Sequence, residues 1–443
     1  MALSLLPSGL YWRAILGLTL CSLLAPPSFA SKKKDQPAQT PRVRATLPPA
    51  FSIPAEPLGF APPGEFYLGL RNSLVSLDFL DEDRLLFTFR VPALIHREGS
   101  NTNTHDERRI RAVVLRLPSG AVEAETVWTV HDHAHYLYML DHGQFLFRDR
   151  DTLLLGDSSL QLKPFLRFPG NVLWIELDPS RQYLVAGSTE PRAHKAVEGE
   201  VASPATAAAR VDTDFNQADD DSRMVLRILR RRDGKVMLVS HIRSAVHLPI
   251  NAEGYLETLR ARGSAWDLNF NHFDGGSTIL GKVDSVCSPM LDFISLTEFL
   301  ATTCGPSGDP RIVAMSTSGR RLWENPSIGP SVWPLLIPGP DGSRIARETL
   351  MANHSVNASA PLGSDDIKGQ DVQILDATSG KIVLRAAASP ILDGGGNVAI
   401  SPSARRVAVL MEGGIQVFNL PAPSTAVNPT SQAGTSQSPA PIP

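Results

Sequence analysis

Short apolar stretches separated by compact polar turns run along most of this chain. Leu85-Leu86-Phe87-Thr88-Phe89, Tyr183-Leu184-Val185-Ala186-Gly187 and Val407-Ala408-Val409-Leu410 are representative. Their length and their β-branched and aromatic content predict strands rather than helices. Two turn types alternate between them. In the first, Asp, Pro or Ser precedes an arginine, as in Asp81-Glu82-Asp83-Arg84, Asp178-Pro179-Ser180-Arg181 and Ser401-Pro402-Ser403-Ala404-Arg405. Proline presets the turn dihedral, and Asp or Ser accepts from backbone donors. In the second a glycine sits between two strands: Pro118-Ser119-Gly120-Ala121, Asp233-Gly234-Lys235, Thr317-Ser318-Gly319-Arg320 and Ala377-Thr378-Ser379-Gly380-Lys381. Glycine supplies the positive φ that such hairpins need.

Composition sharpens this picture. With 42% apolar and 20% charged residues the chain can bury a large core, while 36 prolines and 33 glycines are more than a helical bundle tolerates. The 42 basic and 45 acidic residues leave a formal charge of −3, which gives no general attraction for nucleic acid or an anionic membrane.

The ends differ from the middle. Residues 1–30 carry one cation, Arg13, an apolar run from Ala14 to Ala25, and Ser28-Phe29-Ala30, where small residues suit signal peptidase. The run falls short of the roughly 20 apolar residues of a membrane span, so a cleaved signal peptide is expected, with an uncleaved anchor as its rival. Residues 31–62 are proline-rich and read as a disordered tether, 191–222 as a loop insertion, and 421–443 as an uncharged disordered tail. Once Cys21 leaves with the signal, Cys287 and Cys304 remain, an even number suited to an oxidising compartment. A disulfide between them is expected, and two buried thiols are the alternative. The mature chain is expected to be exported to the periplasm or beyond, to have no membrane span, and to be monomeric.

Asp178-Pro179-Ser180-Arg181 and Ser401-Pro402-Ser403 resemble the inner-hairpin turns of WD40-like bacterial β-propeller repeats. Asp376-Ala377-Thr378-Ser379-Gly380-Lys381 resembles their outer hairpin. That segment and Met315-Ser316-Thr317-Ser318-Gly319-Arg320-Arg321-Leu322-Trp323 also resemble the tryptophan-docking repeats of quinoprotein-like propellers. Thr297-Glu298-Phe299-Leu300-Ala301-Thr302-Thr303-Cys304 and the segment from Asn397 to Leu420 are similar to uncharacterised secreted bacterial propellers. The resemblance implies an all-β propeller over 63–420 and no particular reaction. At about 40–50 residues per blade, seven four-stranded blades fit, starting near Leu74, His135, Leu173, Ala245, Met290, Val332 and Gly395. The last has about three strands of its own, so its fourth is expected from the N-terminal side, from 42–53 or 66–70. Two packed sandwiches are the competing architecture.

His131-Asp132-His133-Ala134-His135 is the most unusual local chemistry. Alternate residues of a strand share a face, so His131, His133 and His135 can present imidazoles together to zinc or copper; a solvated His-rich loop is the plainer reading. Asp212-Thr213-Asp214-Phe215-Asn216 begins like a calcium loop, but Gln217 and Arg223 stand where the bend glycine and bidentate glutamate belong. Asn271-His272-Phe273-Asp274-Gly275-Gly276 reads as a hairpin turn, and Arg230-Arg231-Arg232 as a charged rim. No GxSxG elbow, P-loop, GxGxxG fingerprint or HExxH motif occurs, so no catalytic residue and no cofactor are assigned. The sequence therefore predicts a secreted, non-catalytic propeller that binds or scaffolds a protein, peptide or glycan, with a metal site at the three histidines as the alternative.

Overall fold

The computed structural model describes residues 45–62, 75–91, 96–97, 106–131, 135–191, 222–243, 246–306, 310–326, 331–332, 334–354, 363–392 and 395–423. They contain twenty-eight strands, two 3-10 turns and no α-helix. The first strand, β1 (Phe51–Pro54), is set aside for the ring closure. Blade 1 then runs through β2 (Val75–Phe79), β3 (Arg84–Arg90), the short β4 (His96–Arg97), β5 (Asp106–Arg116) and β6 (Ala121–Val130). Blade 2 is β7 (Leu137–Met139), β8 (Phe145–Asp149), β9 (Thr152–Gly156) and β10 (Lys163–Arg167). Blade 3 is β11 (Val172–Leu177), β12 (Tyr183–Pro191), β13 (Ser222–Arg230) and β14 (Lys235–Ile242).

Blade 4 has only β15 (Gly254–Arg260), β16 (Ala265–His272) and β17 (Ser277–Asp284); its inner position is held by one bridge, Ile250 to Tyr255. Blade 5 is β18 (Met290–Phe293), β19 (Glu298–Cys304), β20 (Pro310–Ser316) and β21 (Arg321–Pro326). Blade 6 is β22 (Leu335–Pro338), β23 (Arg344–Ala352), β24 (Ile367–Asp376) and β25 (Ile382–Ala388). Blade 7 is β26 (Val398–Ile400), β27 (Arg406–Met411) and β28 (Gly414–Asn419), completed by β1, which pairs antiparallel with β28.

Burial shows that these sheets close into a ring. Each face packs on the next blade in cyclic order: Leu86, Trp128 and Phe147 join blades 1 and 2, Leu146 and Leu184 join 2 and 3, and Val185, Ile228 and Ile250 join 3 and 4. Leu268 and Phe299 join 4 and 5, Leu300 and Ile345 join 5 and 6, and Val372 and Val409 join 6 and 7. The circle closes where Phe87 and Val113 of blade 1 meet Ile53, Leu410 and Val417 of blade 7. Neighbouring residues of one strand, such as Leu85 and Leu86, serve opposite seams, which is why the buried strands read as continuous apolar runs.

The turn grammar is realised as expected. Gly120, Gly234, Gly319 and Gly380 all have φ between +66 and +84°, and Arg181 and Ala404 take +56 and +52° in the inner hairpins. Two tryptophans tie one blade's outer strand to the next blade's outer turn. Trp323 on β21 donates from Nε1 to Ala377 O at 2.7 Å, and its ring lies where a Cβ at Gly380 would stand 2.5 Å away, so only glycine fits there. Trp128 on β6 donates likewise to Leu160 O at 3.2 Å.

One expectation changes. The stretch 31–62, read as a tether, is built into the ring from residue 45 onward. Thr46 donates its N–H to Arg385 O and its hydroxyl accepts from Arg385 N, both at 2.9 Å; β1 then buries Ile53 in the closing seam, and Phe60 packs edge-on to Phe87 and Phe89. Proline density suggested a spacer, but four paired residues with one inward apolar side chain suffice for a closing strand. Of the two candidate sources for that strand, the structure uses 42–53. Residues 1–44 and the expected signal peptide, most of the 191–222 insertion, and 424–443 lie outside the described residues.

Candidate functional site

The ring axis holds a cavity of about 610 Å³ lined by the inner strands and inner hairpins of six blades. Blade 1 contributes Asp78 and Phe79, blade 2 Tyr138 and Met139, blade 3 Glu176 to Arg181, blade 5 Phe293, blade 6 Ile337 to Asp341, and blade 7 Val398 to Ile400. Such a lining, apolar with a few converging polar groups, is what ligand sites generally offer.

The polar groups are of two kinds. Asp178 and Asp341 cap their own turns: Asp178 accepts from the N–H of Ser180 and Tyr183, and Asp341 from that of Ser343, so both are structural. Arg181, held in left-handed backbone, reaches across to blade 2 and donates to Leu140 O and Asp141 Oδ1, each at 3.2 Å. Asp78 differs. It accepts from the Ser76 hydroxyl, and burial pushes its carboxyl up to about 6 against the lowering effects of that hydrogen bond and of the Arg181 charge. A partly desolvated carboxyl facing a cavity is a group that a bound cation or donor can satisfy.

A second constellation spans the incomplete blade. His247, in the segment that replaces its inner strand, directs Nδ1 to Glu176 Oε1 of blade 3 at 2.9 Å and Nε2 to Asp292 Oδ1 of blade 5 at 3.1 Å. Glu176 Oε2 also accepts from Leu248 N at 3.0 Å. Both ring nitrogens face acceptors, so the imidazole has to carry two protons. Burial alone would lower its pKa, but Asp292 and Glu176 outweigh burial and raise it to about 11.

The structure describes two of the three histidines of the predicted cluster. His131 lies just beyond β6, and its Nδ1 is 2.9 Å from Asp149 Oδ2 at the end of β8, while its N–H donates to Oδ1 at 3.0 Å. His133 lies outside the described residues. His135 lines the channel; its surface faces the lumen, yet the surrounding wall desolvates the ring and lowers its pKa, with Arg148 adding to the effect. Its carbonyl accepts from Arg148 Nε at 2.9 Å, and Tyr138 meets its ring edge-on at 4.8 Å. Among the described residues no three His, Cys, Asp or Glu side chains converge as a metal cage.

Cys287 and Cys304 form a disulfide that ties the end of blade 4 to β19 of blade 5. The calcium-like segment at 212–216 is outside the described residues. His272 to Gly276 form the turn between β16 and β17, and Arg230 is paired with Asp233 at 2.6 Å.

Asp78, Glu176 and Asp292 were not singled out from sequence, although a signal exists. Each is the penultimate residue of an inner strand, in VSLDF, VLWIEL and MLDF. An acid recurs at that place in blades 1, 3 and 5: Asp78 and Glu176 line the channel, and Asp292 meets His247.

No family model matches the chain, and no curated protein matches it. Solved structures do. An acylaminoacyl peptidase from Pyrococcus horikoshii aligns over 81% of this chain at 12% identity with a TM-score of 0.45; the chain spans about half (52%) of that protein's length. The β-propeller domain of the Trilobed protease from Pyrococcus furiosus aligns over 82% of this chain and 99% of its own, at 11% identity and a TM-score of 0.42. The WD40 domain of Toxoplasma gondii coronin aligns over 80% and 82%, at 10% identity and 0.41. Strand order, cyclic packing and N-terminal closure together make this chain a seven-bladed β-propeller.

Proposed function

We propose that this chain is an exported, non-catalytic propeller that holds a protein, peptide or glycan partner in the mouth of its central channel. The observation that carries the reading is the cavity of about 610 Å³ to which six blades contribute, with Asp78 facing it. Fold by itself implies no activity, so the reading rests on that site. The disulfide supports an oxidising compartment, and no helix among the described residues is long and apolar enough to cross a membrane. A photo-crosslinking amino acid at Met139, with Val122 on the outer edge as control, tests it in native envelope. A recurrent partner at Met139 alone is expected, and failure to recover one removes the reading. Mass analysis of the mature chain beginning at Ser31 checks export.

A metal centre at His131, His133 and His135 is the second reading, favoured by one observation. Asp149 holds His131 through Nδ1, the carboxylate–imidazole arrangement that presents Nε2 to a zinc or copper ion. Stoichiometric metal lost on triple alanine substitution supports it, and metal-free protein after zinc loading rejects it.

A further inference from the structure

Every blade exposes an outer strand, and an exposed strand edge invites pairing unless it is blunted by charge, proline, glycine or brevity. Here the edges are blunted almost throughout. β1 has four residues and ends in Pro54, β6 carries Glu123 and Glu125, and β10 carries Pro164. β17 carries Gly281 and Lys282, β21 carries Glu324, and β25 carries Arg385 and is covered by Thr46.

β14, Lys-Val-Met-Leu-Val-Ser-His-Ile, is the exception. Its interior holds no Asp, Glu, Lys, Arg, Gly or Pro, and no described strand pairs with its outer side. Val236, Met237 and Val239 are 44%, 37% and 51% exposed. The extra residue that bulges beside the hairpin is Met237, so 238–242 is the regular ladder left open.

Charge decides what fits there. The apolar run is bracketed by cations: exposed Arg232 and Lys235 at one end and exposed Arg243 at the other. Asp233 is the one acid in that turn; it pairs with Arg230 at 2.6 Å and lies 3.8 Å from Arg232, so against Arg230, Arg231, Arg232 and Lys235 the turn keeps a positive balance. A second copy of the chain is a poor match, because two-fold pairing centred on Val239 sets Lys235 opposite Arg243, like charge against like.

We infer that β14 is a docking edge for an extended peptide segment of a partner, β-prone and apolar at its centre and acidic at its flanks, added as a fifth strand to blade 3. Main-chain hydrogen bonds supply the ladder, Val236 and Val239 meet apolar side chains, and the terminal cations fix register and polarity. This surface is separate from the channel, so the two readings stand or fall independently.

The test uses the full chain and a labelled Glu-Asp-Thr-Val-Thr-Val-Thr-Asp-Glu peptide, with a counterpart in which lysine replaces each acid, followed by fluorescence anisotropy. The acidic peptide is expected to bind at least about tenfold tighter, and to weaken as salt rises. Val239→Glu, an exposed change that spares the core, is expected to lose at least about tenfold. Lys235→Glu with Arg243→Glu is expected to shift preference to the lysine peptide, a reversal that unfolding cannot produce. Equal binding of the two peptides, no binding, or binding indifferent to these variants overturns the proposal. So does a wild-type dimer that Val239→Glu dissolves, since the edge would then belong to a second copy.

Discussion

The seam between blades 7 and 1 and the seam between blades 3 and 4 do the same job with different means. The first is closed by apolar mass: Phe87, Phe89, Val113, Leu410, Ile415 and Val417 are all 1% exposed or less, and β1 adds Ile53 from the other end of the chain. In the second, Val185, Leu226, Ile228 and Ile250 are the fully buried members among the described residues, and the blade beyond has lost most of its inner strand. What apolar packing does not supply there is supplied by a polar tie, His247 between Glu176 and Asp292, while the Cys287–Cys304 disulfide lies one seam further on. A ring is cooperative, so its weakest seam limits it.

The sharpest way to break the comparison is to make the same deletion on both sides. Leu410→Ala leaves a void in tightly packed surroundings and is expected near the top of the Leu→Ala range, about 5 kcal/mol. Leu226→Ala sits where partly exposed Tyr183, Leu238 and Tyr255 can relax, and is expected near the bottom, about 2.7 kcal/mol. Chemical denaturation of both variants checks this; equal losses would mean that the two seams are equally packed.

The covalent tie comes next. Replacing Cys287 and Cys304 with serine opens a link across 17 positions and is expected to cost about 3 kcal/mol. Reductant should destabilise the wild type and leave the double variant unchanged, as read from thermal melting.

How much of this was legible follows from what each feature depends on. Strand identity, turn chemistry and blade starts depend on local pattern: the expected start at Met290 is that of β18, and Leu74, His135 and Leu173 fall within two residues of β2, β7 and β11. The cysteine pair was legible because the chain has three cysteines and one of them, Cys21, sits in the expected signal segment. Blade 4 was anticipated near Ala245, but its lost inner strand was not, because 246–250 is apolar enough to read as one. The His247 tie was not legible for another reason. Glu176, His247 and Asp292 are far apart in sequence, and only ring closure brings three blades to one imidazole.

That imidazole gives a pH-dependent prediction. Its folded pKa of about 11 lies above the ordinary 6.5, so the folded state holds the proton more tightly. The stabilisation is complete below about pH 6.5 and is lost as pH rises through 11. The side chain is 35% exposed, so solvent screening reduces the effect to about 1 kcal/mol. His247→Gln keeps one donor and is expected to lower stability by that amount at pH 6 and by little at pH 11. A variant gap independent of pH would deny the charged clamp.

The smallest effect lies in the well-packed half of the ring. Glu348 is buried between blades 6 and 7; its Oε2 accepts from Gln370 Nε2 at 3.0 Å, and Gln370 in turn binds Asn397 and Leu392. Burial raises its carboxyl to about 8, so it is protonated at neutral pH. Between the ordinary value of 4.5 and 8 the folded state binds the extra proton, and stability therefore falls as pH rises through that window. Glu348→Gln removes the titration while keeping the shape. It is expected to match the wild type within about 1 kcal/mol at pH 4 and to exceed it at pH 9. Melting curves at the two pH values decide it, and a variant less stable at pH 9 would show that this carboxylate is ionised and paired in the seam.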